Sequence, residues 1–498
     1  MTWWLFFIFF YSISVLLFHI YIRYFSAQRH NFNSKYFPVI IEPWYFPFLG
    51  PILSMLDMET SLKRWCTKYG HNFTLFLFGK YYTVITKSAD LKKYYHSTEE
   101  TLSMSRAAFL LLGSSYPESQ YIVEYDVVQY LHSILNSNHL SKMISNTEMV
   151  MRDYFNNKNG QFWNENGDEV VIDLFDFMYR LIIRINSINF ISSNIYTNDV
   201  DEVIEIFTRL NVEKDILSPI IERMKKYFGL KTKKDFAWKQ WILLLMPEIQ
   251  RALQMIENNI EPNDFDIIYE NVKYVKEQME KRGETFTPRL VAYFAYMSIV
   301  PAQLNTYTTA AYLILEWIHH QHDEIGQQMK NEIDHLSQCD QLTIDDLNSM
   351  EYIQACIYEV IRMHTDFLLS LRHAGEDILL SQEKFIPTGN FVVTPITGAQ
   401  HLYTNPFDFQ PERHLKPREE MKVDPYRALP FGRGRHSCVG ERYAKMQIKI
   451  LFLRLTKLCK LELMPQSNNY KTTINRKQFD GLSRPTKPVW IKISKRIL

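Results

Sequence analysis

The sequence predicts a mainly α protein with small β-sheets, an α+β globule tethered by one N-terminal transmembrane helix. Three observations carry that prediction. The chain opens without Asp, Glu, Lys or Arg from Thr2 to Ile22. From about Asp126 to Glu284 it reads as amphipathic helices rich in Met, Ile and Phe, and from Pro288 to roughly Glu332 as a further long helix whose stretch Leu290 to Val300 is largely uncharged. A helix of that character belongs in the centre of a globule. Strand patterns are short and confined to stretches such as 72–85 and 391–394. The 498 residues, 46% hydrophobic and 14% aromatic, are ample for a large core. A net charge of +1 gives no reason to expect nucleic acid as a partner. The five cysteines (Cys66, Cys339, Cys356, Cys438 and Cys459) are odd in number, scattered and without Cys-x-x-Cys spacing, which excludes a disulfide framework or a zinc site.

The uncharged opening is long enough to span a bilayer, because 21 residues of helix cover roughly 30 Å. Arg23, Arg29 and Lys35 follow it, which puts the bulk of the chain on the cytosolic side. A cleaved signal peptide would need a basic start, a shorter apolar core and a small-residue cleavage site, and none is evident. The expected organisation is a transmembrane anchor at 1–22, a proline-rich connector at 23–51 and a cytosolic globular domain at 52–498. Pro38, Pro43, Pro47 and Pro51 make the connector semi-rigid.

Within the globule, Ser61 to Tyr69 reads as a helix stopped by Gly70, and Asn72 to Ile85 as a hairpin around Gly79-Lys80. Thr287 is the expected N-cap of the apolar helix, with Pro288 at its first position. In the middle of that helix lies Pro301-Ala302-Gln303-Leu304-Asn305-Thr306-Tyr307-Thr308-Thr309. Buried polar side chains need partners, Thr and Asn loosen a helix by bonding its carbonyls, and Pro301 removes one ladder bond. The stretch is either a kinked core helix with self-satisfied hydroxyls or a distorted groove that admits a ligand. Further on, Glu359 and Arg362 share one helix face within Tyr352 to His364; alone, such pairs are mostly surface contacts of little weight. Phe409-Gln410-Pro411-Glu412-Arg413-His414 follows, and Ile386-Pro387-Thr388-Gly389 reads as a turn opening the strand Phe391 to Thr394.

The most specific stretch is Phe431-Gly432-Arg433-Gly434-Arg435-His436-Ser437-Cys438-Val439-Gly440, with a helical pattern from Glu441. Glycines at 432, 434 and 440 permit positive φ and close approach to a flat ligand. Cys438 lies just before a helix start, where peptide N–H groups favour a thiolate. A thiolate on a short loop walled by Phe431 suits a haem iron as proximal ligand. A merely structural cysteine is the bland alternative. The spacing Phe-x-x-Gly-x-x-x-Cys-x-Gly argues against it, since chance supplies roughly one match per several hundred chains of this size.

These residues resemble the haem-binding loop of the cytochrome P450 superfamily, and the likeness extends over the chain after residue 35. Gly434-Arg435-His436, Cys438-Val439-Gly440-Glu441 and Ala444-Lys445-Met446-Gln447-Ile448-Lys449 look much like sterol 14α-demethylases. Gln303 and Thr308-Thr309 match them too, but Leu304-Asn305 replaces their usual His-Thr, and Asn305-Thr306 is similar instead to the steroid 7α-hydroxylase and prostacyclin synthase branch. The resemblance implies a P450 fold and haem b with Cys438 as axial ligand of the iron. It implies cofactor contacts from Phe431, Gly434, His436, Gly440 and Arg372, with His436 and Arg372 on the haem propionates, and a buried cluster of Glu359, Arg362 and Arg413. Asn305 and Thr306 share the proton-relay role; His132, the nearest titratable group for a third propionate contact, is left unassigned. The implied activity is a monooxygenase of bulky lipophilic substrates (sterols, steroids or triterpenoids, in primary or secondary metabolism) at the endoplasmic reticulum membrane. It would use O2 and electrons passed from NADPH by NADPH-cytochrome P450 reductase, among membrane lipid. The missing acid-alcohol pair keeps open a haem-thiolate isomerase or dehydratase that needs no reductase; a non-catalytic haem sensor is the third class.

Overall fold

The computed structural model describes residues 35–40, 58–77, 80–112, 127–155, 163, 169–210, 225, 229–336, 339, 341–365, 369–395, 403–426, 429–475 and 482–496, with Tyr11, Ile13, Ser14 and Leu17. The expected anchor at 1–22 and most of the connector therefore lie outside the described residues. Among the described residues no helix is long and apolar enough to cross a membrane. The chain forms two compact units, Met1–Leu111 with Phe367–Leu402 and Asp424–Ser437, and Leu112–Asp366 with Tyr403–Val423 and Cys438–Leu498.

The first unit is built on a six-stranded sheet in the order Val39–Ile40, Asn72–Leu77, Lys80–Ile85, Phe391–Pro395, Leu369–Ala374, Leu102–Ser103. The helix Met58–Tyr69 ends where Gly70, at φ +94°, returns its N–H to the Cys66 carbonyl at 3.0 Å. Its Trp65 meets Phe73 edge to face, with ring centroids 5.9 Å apart. The hairpin forms as expected, pairing Asn72 with Ile85 and Leu77 with Lys80, although residues 78 and 79 of its turn are not described. Gly389 (φ +84°) turns the chain into Phe391–Pro395, which pairs Val392 with Arg372 of the neighbouring strand. The helix Ser88–His96 places Leu91, Tyr94 and Tyr95 in a core with Phe37, Leu102 and Val392. Buried Asp90 fixes that helix by accepting from Asn72 Nδ2 at 2.7 Å and Ser381 Oγ at 2.7 Å.

The second unit is helical. Among the described residues its amphipathic stretch resolves into Val127–Ile134, Ser137–Phe155, Leu174–Phe190, Ser193–Asn198, Val200–Leu210, Lys233–Glu257 and Ile267–Lys281. The strand Glu169–Asp173 interrupts it and joins Trp490–Lys495 and Cys459–Leu463 in a three-stranded antiparallel sheet. The central helix, Pro288–His320, packs against Leu174–Phe190, Ile267–Lys281, Glu351–His364 and Glu441–Leu458 and is buried through most of its length. It runs on across Pro301 but stops at His320, short of the expected Glu332. Asp323 ends the run by capping a new helix, Glu324–Leu336, through the Gly326 N–H at 3.1 Å. Thr287 precedes Pro288 as expected, but its side chain caps nothing; the proline at the first position starts the helix.

Candidate active site

Of the loop Phe431–Gly440, the residues up to Ser437 belong to the first unit and those from Cys438 to the second. On the first side Gly432 and Gly434 adopt φ +71° and +73°, the left-handed conformation expected of them. A Cβ on Gly434 would lie 2.1 Å from the Tyr95 carbonyl oxygen, so no other residue fits there. Arg433 is committed to the Pro425 carbonyl (2.8 Å) and to the Tyr426 ring. On the second side Gly440 departs from expectation: its φ is −86°, and it serves as the N-cap of the helix Glu441–Leu458. Cys438 opens to solvent, yet burial among protein atoms pushes its thiol above the ordinary value, the Gly440 N–H opposing and Glu441 adding to the rise. Burial thus opposes the thiolate that the helix start favours.

The central helix exposes one short stripe in its most buried region. Pro301 and Asn305 are exposed and Leu304 is half-buried, at positions i, i+3 and i+4, while Gln303 and the run from Thr306 onward are buried. Thr308 and Thr309 donate to the carbonyls of Leu304 (3.2 Å) and Asn305 (2.8 Å), the carbonyl bonding expected of mid-helix threonines. The Asn305 side-chain oxygen accepts the Leu482 N–H at 3.1 Å, which ties it to the chain at 482–485. The two residues that shared the relay role are thus distinguished: Asn305 lies on the open stripe and Thr306 on the buried side.

Glu359, Arg362 and Arg413 meet as expected. The Arg362 guanidinium forks onto Glu359, Nε and Nη2 each at 2.8 Å, and Arg413 Nε reaches the same carboxylate at 3.0 Å. His414 is a fourth member, its Nε2 3.0 Å from Glu359 Oε2, and the Gln410 N–H is a fifth donor at 3.0 Å. The arginines also bind the carbonyls of Thr404, Asn405 and Pro406, which pins the segment leading to 409–414. Burial works to raise the Glu359 pKa, but hydrogen bonds from His414 and Arg362 and the arginine charge outweigh it and hold it at about 2. A depressed carboxyl pKa stabilises the fold in full above its unfolded value, and that stability is lost as pH falls through the folded one. Between pH 4.5 and about 2, Glu359→Gln should therefore flatten the fall of stability with pH relative to the parent, as read by urea unfolding at stepped pH.

In the first unit Arg372 is fully buried, donates to the Tyr94 carbonyl and lies 4.3 Å from the centre of the Tyr94 ring. Its Nε has no hydrogen-bond partner among the described residues, and burial lowers its pKa. His436 Nε2 is 2.9 Å from Glu99 Oε1, a close contact that is off the line of a good hydrogen bond. Neither His414 nor Glu99 was foreseen. His414 could have been found from its place beside Arg413; nothing local marks Glu99, which is brought to His436 only by the fold.

A family model described as Cytochrome P450 matches residues 42–493. The chain belongs to the cytochrome P450 family. It has the P450 fold, mainly helical with small sheets, and is a P450 monooxygenase. Lanosterol 14-alpha demethylase of Bos taurus is 23% identical over 473 residues, 92% of this chain and 88% of that protein. Sterol 14-demethylase of Arabidopsis thaliana is 24% identical, covering 88% of this chain and 89% of its own. Cytochrome P450 3A5 of Homo sapiens is 30% identical over 184 residues, so the chain spans only 34% of that relative. Among solved structures, the retinoic acid bound cyanobacterial CYP120A1 matches with a TM-score of 0.70 at 19% identity, covering 93% of this chain and 100% of its own, a likeness of fold. The family implies a haem cofactor, and the residues of this P450 fit one. A thiol heads the helix Glu441–Leu458, and a buried guanidinium retains an N–H suited to a carboxylate.

Proposed function

We propose that this P450 hydroxylates or oxidatively demethylates a bulky lipophilic substrate of the sterol, steroid or triterpenoid class. Its likeness to two sterol demethylases along nearly the whole chain is the observation that carries this reading. O2 and electrons from NADPH, relayed by NADPH-cytochrome P450 reductase, complete the reaction. Haem b would be held by Cys438, as a ligand of its iron, in the loop shaped by Phe431, Gly434 and Gly440, with Arg372 and His436 on its carboxylates. The haem supplies oxygen activation and accepts the electrons; the protein supplies the ligand, the orientation and the proton path. Glu359, Arg362 and Arg413 hold the segment that precedes the loop. Residues 1–22 anchor the enzyme as a single pass in the endoplasmic reticulum membrane, with 52–498 cytosolic; the uncharged opening and the Arg23, Arg29 and Lys35 that follow support this.

Asn305 is the better candidate for the polar contact on the open stripe. With its oxygen engaged by Leu482, its amide nitrogen can donate and order a water, whereas it cannot lose and regain a proton as a hydroxyl does. Asn305→Ala should lower product formed per NADPH consumed by up to about tenfold, the weight of one hydrogen bond. Thr306→Val should change the ratio little, and the reverse pattern would transfer the role to Thr306. The same lack of a hydroxyl on the stripe favours a second reading, a reductase-independent isomerase or dehydratase. NADPH-dependent product formation with reductase present excludes it. The substrate class is tested by a spectral-shift screen of sterols and triterpenoids followed by product mass analysis; a screen in which only unrelated small aromatics bind would overturn it.

A further inference from the structure

We propose that Glu99 is a positioning residue for the haem carboxylate contacts, holding His436 in place and setting a fixed negative charge beside it. The proposal rests on the reading of His436 and Arg372 given above. The end of the helix Ser88–His96 carries three supports. The Tyr94 carbonyl and ring hold Arg372, the Tyr95 carbonyl abuts Gly434, and Glu99, in the turn that follows, meets His436 at 2.9 Å. One short piece of backbone thus braces both basic groups and the loop between Gly434 and His436.

Glu99 is built to stay put. Its Oε2 accepts the Ser103 hydroxyl at 2.7 Å and its Oε1 the Met104 N–H at 3.1 Å. Burial alone would raise its pKa; His436, Ser103 and Met104 together hold it down at about 2, so the carboxylate is charged at every working pH. The contact is one of proximity, a fixed carboxylate oxygen 2.9 Å from the ring nitrogen, and it leaves Nδ1 as the ring's other polar atom. Glu99 also acts electrostatically on Arg372. When haem carboxylates sit on these two groups, Glu99 is a third negative charge in the same neighbourhood, which disfavours adding an electron to the haem.

The test uses the full-length haem-loaded protein in detergent and two readouts other than turnover: the rate of haem transfer to apomyoglobin and the haem reduction potential. Glu99→Gln should speed haem transfer by about tenfold, the weight of one charge-assisted contact, and move the potential to a more positive value. Glu99→Asp should lie between, which guards against a variant that merely folds poorly. The double variant Glu99→Gln/His436→Gln should lose haem no faster than His436→Gln alone. Glu100→Gln, at the neighbouring exposed acid, should change neither readout. Parent-like behaviour of Glu99→Gln beside a fast His436→Gln, or effects of the two that multiply, overturns the role of Glu99. A His436→Gln variant that keeps its haem as the parent does would instead sink the reading of His436 on which the proposal stands.

Discussion

Arg413→Ala is expected to destabilise the folded protein by roughly 3–5 kcal/mol, the cost of breaking a buried ion pair by removing one partner. Arg413 is fully buried, and it serves Glu359 (3.0 Å), Glu420 (3.3 Å) and the carbonyls of Thr404 and Asn405. Its loss leaves the fully buried Glu359 carboxylate short of a donor. Arg362 cannot replace it, because its fork is already spent on Glu359 and Pro406. Arg180 gives the contrast, since it pairs with Asp176 at 2.8 Å with both side chains about half exposed, 52% and 54%. Arg180→Ala should cost about 1 kcal/mol or less. Urea unfolding of the two variants measures the difference directly, and equal costs would mean that the Glu359 cluster is not a buried charge network.

The sequence was most legible where geometry is local. Gly70, Gly389, Gly432 and Gly434 all take the positive φ that their turns demand, and Glu359 and Arg362 meet because i and i+3 share a helix face. Arg413 joined them through the order of motifs, which only the family resemblance supplied. What escaped was decided by contacts between distant stretches. Nothing in the central helix itself shows that Asn305 would engage Leu482, or that Thr306 would turn inward. The expected run to Glu332 failed for a local reason that went unread: Asp323 in a polar stretch is a cap. At Cys438 the local sequence shows the helix start that favours a thiolate but not the burial that opposes it.

Cys438→Ala should have the most complete effect of any single change, since it removes the proposed ligand and leaves an alanine methyl that no iron can bind. The raised thiol pKa adds a second expectation. Haem loading must expel the thiol proton, so loading of the parent at fixed haem should strengthen as pH rises toward the ordinary thiol range, whereas Cys438→Ala should show no such dependence. Loss of the ligand should also be separable from loss of the fold. Glu441–Leu458 starts at its own cap, Gly440, and its buried face rests on Tyr443, Ile448 and Leu451 rather than on the thiol. The measurement that tests the account most directly is the absorption spectrum of the reduced protein under carbon monoxide, parent beside Cys438→Ala. The parent should show the red-shifted Soret band of a thiolate-ligated haem and the variant should lack it while remaining folded by circular dichroism. A folded Cys438→Ala protein that kept the same band would contradict the assignment of Cys438 as the iron ligand.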